Sequence, residues 1–262
     1  MNFDRVSTEW LDERTPLFAP RTLDERAKDP YDRDFGVVDV YTGIAFGHRL
    51  FADGSAEGLY RTMSALLLAS GQVESVLDVG CGVGRVLYEC ATALPDTQFA
   101  GVDLSYNMCR RASALLQDTA AIPLPGLERW GRPGVVFSEA RQLANVTIAQ
   151  ASALDLPFAP LTFDLVLATL LLCRLPDPAR GLAQMVRVLR PGGRLLLATP
   201  CGFNTAEPWA QFVPPEKLKQ QLAILGLRVD EWFENLLYRE VIDAHGNAHD
   251  WRVRIIAATL MV

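Results

Sequence analysis

The segment from Val76 to Arg85 (VLDVGCGVGR) carries glycine at every second position after a short β-rich run. A helix is predicted to follow, and the first backbone N–H groups of a helix have no partner inside it. Gly80, Gly82 and Gly84 permit positive φ angles and let another molecule come close to the main chain. These residues therefore predict a loop that binds a small ligand.

Two common phosphate-binding loops do not match this spacing. A loop of the GxxxxGK[ST] type needs a lysine at its end, and the segment has none. A dinucleotide fingerprint GxGxxG that begins at Gly80 needs glycine at position 85, where Arg85 stands. The carboxylate of Asp78, two positions before Gly80, suits a ligand with a cationic amine better than one with a pyrophosphate.

A second acidic residue, Asp103, ends the next predicted strand. In a doubly wound sheet this position faces the crevice that holds the ligand, and a carboxylate there accepts hydrogen bonds from both hydroxyls of a ribose. The alternative is an ordinary helix-capping aspartate. The combination with the glycine loop favours the ribose-binding role.

The elements that position these residues alternate between strand and helix. This alternation predicts right-handed crossovers and a mainly parallel sheet. A short link (DAHGNAHD) joins the last two extended runs and favours an antiparallel pair. The predicted strands are 75–79, 98–102, 146–150, 163–169 and 193–199, the predicted helices 57–70, 84–93, 178–189 and 215–225, and the final extended runs 233–242 and 251–260.

Two stretches do not follow this alternation. Residues 1–56 begin with mixed charges, prolines and interspersed aromatic residues. They are predicted to form a short helix near 7–14 and then a partly irregular arm, which is either a solvated extension or a lid over a ligand site. Residues 118–145 are longer than a crossover requires and form either a surface loop or part of a substrate wall. The remaining chain, 57–262, is predicted to be one domain.

Composition limits the classes of protein to which the chain can belong. It has 262 residues and a net charge of −6, which fits one large domain or one domain with a lid and argues against nucleic-acid binding. It lacks a CxxC pair, its first residues lack the apolar stretch of a signal peptide, and its longest apolar run, Leu165 to Cys173, is about half of what a membrane span needs. We therefore expect a soluble cytoplasmic protein with no structural zinc, and its oligomeric state stays open.

Over about residues 60–200 the sequence resembles the class I S-adenosylmethionine-dependent methyltransferases. Four motifs occur in the order of that family: VLDVGCGVGR, GVDLS, SALDLPF followed by FDLVLATLLL, and RVLRPGGRLLLATP. The resemblance implies an α/β fold with a doubly wound, mainly parallel seven-stranded Rossmann-like sheet, an antiparallel final strand and an N-terminal helical lid. It implies S-adenosylmethionine as the cofactor.

The resemblance also assigns positions around the cofactor. Asp78 is placed near the amino group of the methionine part, and Asp103 at the ribose hydroxyls. Ser152 stands where many members carry an aspartate that bonds the adenine amine, so the chain departs from the pattern there. The other implied cofactor-binding residues are Gly80, Cys81, Gly82, Gly84, Leu104, Met108, Ala153, Ala168 and Thr169.

The residues that would carry acid–base chemistry are not those most usual in the family. Many members carry histidines just after the fourth strand, where this chain has LLCRLP. The candidate catalytic residues are therefore His48, as a general base, and Tyr31 and Tyr41, as tyrosines that stack on or bond to the cofactor from the arm.

Arg174 and Trp209 are the candidate substrate-binding residues, the first for a carboxylate and the second as part of an aromatic wall. His245 and His249 have a spacing that binds metal on a helix, but Gly246 and Asn247 between them indicate a turn. No metal site is predicted.

Three functions remain open on the sequence. The first is in-line transfer of a methyl group to an oxygen, nitrogen or carbon atom of a small molecule, without a nucleic-acid or membrane partner. The second is an enzyme that uses S-adenosylmethionine without moving the methyl group. It would cyclise or cleave the aminobutyrate arm and release methylthioadenosine, or catalyse a pericyclic step. The third is a non-catalytic subunit that binds the cofactor. This function stays open because proteins with one fold can have many different functions.

Overall fold

The structure is a computed structural model that describes residues 3–4, 9–10, 12–51, 56–200, 212–241 and 243–262. Its strands are β1 (Glu9–Trp10), β2 (Pro16–Leu17), β3 (Ser75–Val79), β4 (Gln98–Asp103), β5 (Ile122–Pro123), β6 (Val136–Phe137), β7 (Val146–Gln150), β8 (Phe163–Thr169), β9 (Leu189–Pro200), β10 (Leu227–Val241) and β11 (Ala248–Leu260). Its helices are α1 (Leu23–Lys28), α2 (Pro30–Arg33), α3 (Phe35–Ala45), α4 (Gly47–Leu50), α5 (Glu57–Leu68), α6 (Arg85–Ala93), α7 (Tyr106–Leu116), α8 (Pro178–Val188) and α9 (Pro215–Ile224).

The main sheet has the strand order β1-β2-β7-β4-β3-β8-β9-β11-β10 among the described residues. The strands from β7 to β9 are parallel, and β11 is antiparallel to both β9 and β10. The seven strands from β7 to β10 confirm the predicted doubly wound sheet with an antiparallel final strand. The arm adds β1 and β2 at the β7 edge, and these two short strands were not predicted.

Side chains alternate between the two faces of the sheet, and helices cover both faces. Val76 of β3 packs in the core that α5, α6 and α7 share, whereas Leu77 packs in the core under α8 and α9. Two helices begin where polar side chains cap them. Ser105 Oγ accepts the Met108 N–H at 3.2 Å at the start of α7, and Asp177 caps α8 in the same way.

The helix predicted near 7–14 is wrong in the part of that segment that the structure describes. Glu9–Trp10 pairs with Pro16–Leu17 as two short antiparallel strands. The Asp12 carboxylate accepts the N–H groups of Arg14 at 2.9 Å and Thr15 at 2.8 Å. A carboxylate that bonds the backbone just after it stabilises a turn in place of a helix, and the turn joins the two strands.

The stretch 118–145 packs on the arm. It forms the β5–β6 hairpin and a 3₁₀ helix, Pro125–Trp130, that lies against α3. Asp39 of α3 accepts the Gly126 N–H at 2.8 Å and is paired with Arg111 of α7 at 2.6 Å, with both side chains buried. The buried carboxylate of Asp39 therefore links the arm to α7 by an ion pair and to this stretch by a hydrogen bond. Among the described helices, none has the length and apolarity needed to cross a bilayer.

Candidate functional site

A cavity of about 610 Å³ opens at the carboxyl ends of the parallel strands. Its walls come from the arm, the glycine loop after β3, the residues after β4, β7 and β8, and the end of β10. This is the position at which doubly wound sheets bind their ligands. None of the lining residues belongs to the stretch 118–145, so the cavity wall known from the described residues does not include it.

The glycine loop adopts the left-handed conformation that its sequence predicts. The φ angles are 70° at Gly80, 54° at Gly82 and 78° at Gly84. A Cβ at Gly80 would lie 2.7 Å from a methyl carbon of Leu171, whereas a Cβ at Gly82 would meet no atom within 4 Å. The loop therefore packs tightly at one end and leaves open space next to Gly82, where the cavity begins.

Most N–H groups of this loop already have partners inside the protein. The N–H groups of Gly80 and Cys81 donate to the carbonyl of Val102 at 2.8 and 3.0 Å. The N–H of Gly82 donates to Asp103 Oδ2 at 2.9 Å. The loop thus lets a ligand come close to the protein backbone. The polar contacts with that ligand must come from the carboxylates around the loop.

The Asp103 carboxylate is fixed by two backbone donors. Its Oδ2 accepts the Gly82 N–H and its Oδ1 accepts the Ser105 N–H, each at 2.9 Å. Burial raises the pKa of Asp103 to about 6, against the lowering effect of these two bonds. Each carboxylate oxygen accepts more than one hydrogen bond, so lone pairs remain for two ligand hydroxyls.

The Asp78 carboxylate is buried and incompletely paired. Its side chain lines the cavity, the residue is 2% exposed, and Oδ1 has no hydrogen-bond partner in the described structure. Burial first, and the charge of Asp103 second, raise the pKa of Asp78 to about 8. A buried carboxylate without a partner is unfavourable. A ligand ammonium group at this position would supply the missing charge and hydrogen bond.

The predicted adenine-side residues line the same cavity. Leu104 exposes 41% of its surface, and Met108 is buried beside it. The Ser152 hydroxyl accepts the N–H of Leu154 at 3.2 Å, so part of its hydrogen-bonding capacity is used locally. Ala153 follows Ser152 in the wall.

The last two side chains of β8 point to opposite faces of the sheet. Thr169 lines the cavity, and its Oγ1 is buried with no partner among the described residues. Ala168 points to the opposite face and packs in the core under α8 and α9. Gly84 is the left-handed cap of α6, and a Cβ there would lie 2.6 Å from Leu116 Cδ1. Neither Ala168 nor Gly84 is among the lining residues.

Of the candidate catalytic residues, the two tyrosines line the cavity and the histidine does not. The rings of Tyr31 and Tyr41 meet edge to face with centroids 5.2 Å apart, and their hydroxyls are 3.4 Å apart. Burial raises the pKa of Tyr31. His48 Nδ1 lies 3.1 Å from the carboxylate of Glu57, and partial burial lowers the pKa of His48. Arg174 lines the cavity, and Trp209 lies outside the described residues.

The arm is fixed to the protein next to the ribose-binding position. Asp32 of α2 accepts the Ser105 hydroxyl at 2.6 Å and the Asn107 N–H at 3.1 Å, at the start of α7. Its other oxygen lies 3.1 Å from the guanidinium of Arg21, which also pairs with Asp29 at 2.8 Å. The Asp32 side chain is fully buried. These contacts hold α1 and α2 against the cavity.

Several lining residues were missed by the sequence analysis, among them Tyr60, Tyr238 and Glu240. Tyr60 belongs to α5, and the other two lie near the end of β10. The available signal was the spacing of two between Tyr238 and Glu240, which places them on one face of a strand. No group of three or more metal-ligating side chains occurs in the part of the chain that the structure describes.

Comparisons with known proteins agree with this architecture. Residues 77–197 match the family model described as a methyltransferase domain. The O-methyltransferase resE of Aspergillus sclerotiorum is 31% identical over 63% of this chain and 59% of its own length. The C-methyltransferase UbiE of ubiquinone and menaquinone biosynthesis from Psychromonas ingrahamii is 28% identical over 76% of this chain and 70% of its own.

A solved structure extends the comparison to the fold. The [4+2]-cyclase SpnF superimposes with a TM-score of 0.56 over 86% of this chain and 94% of its own, at 19% identity. The chain spans between 46% and 69% of the length of the first three curated relatives. The motifs, the sheet order and the family match agree: residues 77–197 match a methyltransferase domain, and the chain has the Rossmann-like fold of the class I methyltransferases.

Proposed function

We propose that this chain transfers the methyl group of S-adenosylmethionine to a nucleophilic atom of a small-molecule acceptor. One observation carries the proposal: the buried, unpaired carboxylate of Asp78 shares a cavity with the fixed carboxylate of Asp103, and Gly82, which Asp103 contacts, leaves open space in that cavity. A ligand with an ammonium group at one end and a ribose beyond it satisfies both carboxylates. The relatives resE and UbiE, an O-methyltransferase and a C-methyltransferase, support the same reaction.

The residues present fit this cofactor. Asp78 would bind its ammonium group and Asp103 its two ribose hydroxyls. Leu104 and Met108 would pack near the adenine, with the hydroxyl of Ser152 at its polar edge. When bound, S-adenosylmethionine supplies a methyl group on a positively charged sulfur, which is a good leaving group.

The protein's own contribution is positioning and the exclusion of water. Tyr31, Tyr41 and the leucines after β8 form an apolar wall beside the cofactor-binding residues. The cavity volume of about 610 Å³ lies within the usual range for a site that encloses small molecules. We infer a small, partly apolar acceptor that is held against the methyl group between the arm and the sheet.

Cofactor binding is the first test. Calorimetric titration with S-adenosylmethionine and S-adenosylhomocysteine is expected to give saturable binding of both. Asp78→Asn is expected to weaken both, because the ammonium loses its charged partner. Asp96→Asn changes an exposed aspartate outside the cavity and is the matched control. Absence of binding to the wild-type protein, or equal binding to Asp78→Asn, would contradict the proposed site.

Product analysis then separates methyl transfer from the other chemistries. The protein is incubated with S-adenosylmethionine alone and the products are identified by mass spectrometry. We expect the cofactor to stay intact until a phenol, an amine or an enol is added, and then to become S-adenosylhomocysteine with a methylated acceptor. Release of methylthioadenosine above the spontaneous background would overturn methyl transfer in favour of chemistry on the aminobutyrate arm.

A further inference from the structure

The end of β10 brings two polar side chains to the cavity. Strand β10 is antiparallel to β11, and β11 is antiparallel to β9, so β10 runs in the direction of the parallel strands. Its last residues therefore reach the edge at which the cavity opens. Tyr238 and Glu240 line this cavity and also a smaller one of about 30 Å³ beside it.

The Glu240 carboxylate is buried and held in one orientation. The residue is 7% exposed, and its Oε2 accepts the indole N–H of Trp251 at 3.0 Å. The Tyr238 ring lines the same cavity and meets the ring of Tyr60 edge to face, with centroids 6.2 Å apart. A carboxylate accepts about four hydrogen bonds, so lone pairs remain for another donor in the cavity.

Glu240 is the carboxylate of the described cavity wall that has no other assigned role. Glu25 caps the first turn of α1, and Asp29 caps α2 and pairs with an arginine of the arm. Asp78 and Asp103 are assigned to the cofactor. No histidine is among the described residues that line the cavity. A base for the acceptor must therefore be sought at Glu240.

Arg174 provides a positive charge at the same end of the cavity. It follows β8 and lines both the larger and the smaller cavity with Glu240. Its guanidinium forms no hydrogen bond or ion pair with any residue in the described part of the chain, Glu240 included. A guanidinium is always charged and binds oxyanions well. It attracts an acceptor oxygen that loses its proton and disfavours a cationic amine.

We propose that Glu240 is the general base for a phenol acceptor and that Arg174 stabilises the phenolate. The proposal rests on the proposed function. Tyr31 and Tyr41 form an edge-to-face aromatic pair, which suits packing against a flat aromatic ring. The three features together select an acceptor that is aromatic and has an acidic hydroxyl.

The step balances with the groups named. The proton of the acceptor O–H passes to an oxygen of the Glu240 carboxylate, and the electron pair of that bond stays on the acceptor oxygen beside Arg174. This oxygen forms a bond to the methyl carbon. The methyl–sulfur bond breaks as the new oxygen–carbon bond forms, and the electron pair of the broken bond stays on sulfur. Glu240 afterwards returns the proton to water.

The test compares two phenols of different acidity. Phenol has a pKa of about 10, like that of a tyrosine side chain, and must lose its proton on the enzyme. 4-Nitrophenol is already ionised at about pH 8 and does not need a base. Both are assayed with methyl-labelled S-adenosylmethionine, using wild-type protein, Glu240→Gln and Glu234→Gln. The last is a matched control, since Glu234 lies on the same strand, outside the cavity, and also accepts a tryptophan N–H, at 2.8 Å.

We expect Glu240→Gln to lower kcat with phenol by about 100-fold, the usual lower range for loss of a general base, and to change kcat with 4-nitrophenol by less than about threefold. Glu234→Gln is expected to match the wild type with both phenols. An equal loss with both phenols in Glu240→Gln, or no loss with phenol, would overturn the proposal. So would a wild-type protein that methylates neither phenol.

Binding measurements distinguish a failure of the phenol proposal from a failure of the proposed function. All three proteins are expected to bind S-adenosylmethionine with the same affinity within about twofold. If the wild type binds the cofactor and methylates a different class of acceptor, the phenol proposal fails and the methyltransferase proposal stands. If the wild type does not bind the cofactor, or releases methylthioadenosine, the proposed function itself fails.

Discussion

The two ends of the cavity are built from different kinds of sequence. The end proposed to bind the cofactor uses short segments next to neighbouring parallel strands: Asp78 and the glycine loop at β3, residues 103–108 at β4, and residues 152–153 after β7. The end proposed to bind the acceptor combines the arm, the segment after β8 and the end of β10, which are far apart in the chain. A ligand common to a whole family is bound by a local motif. The side chains that distinguish one substrate from another come together only when the fold is complete.

The two ends also differ in charge. At the cofactor end, burial raises the pKa values of two neighbouring carboxyl groups, Asp78 and Asp103. At the acceptor end, Arg174 is a cation without a paired anion among the described residues. The cavity is thus electrostatically suited to a cation at one end and an anion at the other. Mutations that remove these charges should affect the two ligands separately.

The largest effect is expected from Asp103→Ala. The variant loses two charge-assisted hydrogen bonds to the ribose, each contributing about 1.5–3 kcal/mol, so the affinity for S-adenosylhomocysteine should fall by about 100-fold or more. Calorimetric titration measures this change, with Asp96→Ala as the control. Unchanged affinity in Asp103→Ala would mean that the ribose is not bound at this end.

An effect of about tenfold is expected from Arg174→Gln, at the other end. Loss of the positive charge should raise KM for 4-nitrophenol about tenfold, because one charge-assisted contact with the phenolate is removed. The affinity for S-adenosylmethionine should stay within about twofold. Arg180→Gln, in an exposed arginine of α8, is the control. If both ligands weaken equally in Arg174→Gln, the two ends are not independent.

A severalfold effect is expected from pH on cofactor binding. Asp78 must be ionised to bind an ammonium group, and its pKa is about 8 in the ligand-free protein. The affinity for S-adenosylhomocysteine should therefore rise severalfold between about pH 7 and pH 8, with release of a proton near pH 7. Titrations in buffers of different ionisation enthalpy measure the proton release. Asp78→Asn should bind more weakly and release no proton, and proton release from that variant would assign the titration to another group.

The same carboxyl group links pH to stability. Because the pKa of Asp78 is raised from 3.8 to about 8 in the folded state, the folded protein binds more protons than the unfolded chain between these pH values. The free energy of unfolding of the ligand-free protein should therefore fall as pH rises through this range. Asp78→Asn removes this contribution, so its Tm should exceed that of the wild type at about pH 8. A lower Tm would show that the carboxylate is not a source of instability.

The smallest effect is expected from Asp32→Ala, in the arm. The variant loses the contacts that hold α2 to the start of α7, which are far from the reacting atoms but next to the ribose site. We expect the dissociation rate of S-adenosylhomocysteine to rise about threefold and the arm to become more sensitive to limited proteolysis. Asp24→Ala changes an exposed aspartate on α1 and is the control. An unchanged rate would mean that the arm does not restrain the ligand.

Much of the fold was predictable, for a physical reason. The parallel strands β3, β4, β7, β8 and β9 are buried over most of their length, so their apolar runs stand out in the sequence. The arm was less predictable, because its short elements are stabilised by contacts with distant residues. The β1–β2 pair depends on β7. Helix α2 depends on Asn107 of α7 and on Ser105, the residue just before α7.

The residues of the candidate site also differ in how predictable they were. Asp78 and Asp103 were predictable, since each stands next to a motif with a specific backbone requirement. Tyr238 and Glu240 were not, because alternating polar residues on an edge strand are typical of a solvent-exposed face, and the direction of β10 was needed to place them at the cavity. His48 was prominent as a rare residue type, but the structure places it beside Glu57 and away from the cavity wall.

The buried carboxylate of Asp32 has a consequence for ligand exchange. It belongs to the arm, yet it accepts hydrogen bonds from the first turn of a helix in the core. Any displacement of α2 that widens the cavity mouth leaves that turn without part of its cap, at a cost of about 1 kcal/mol. Opening of the cavity by α2 is therefore coupled to loss of hydrogen bonds at the start of α7. A substitution that tightened this cap would lengthen the residence time of the product and slow turnover without touching a reacting atom.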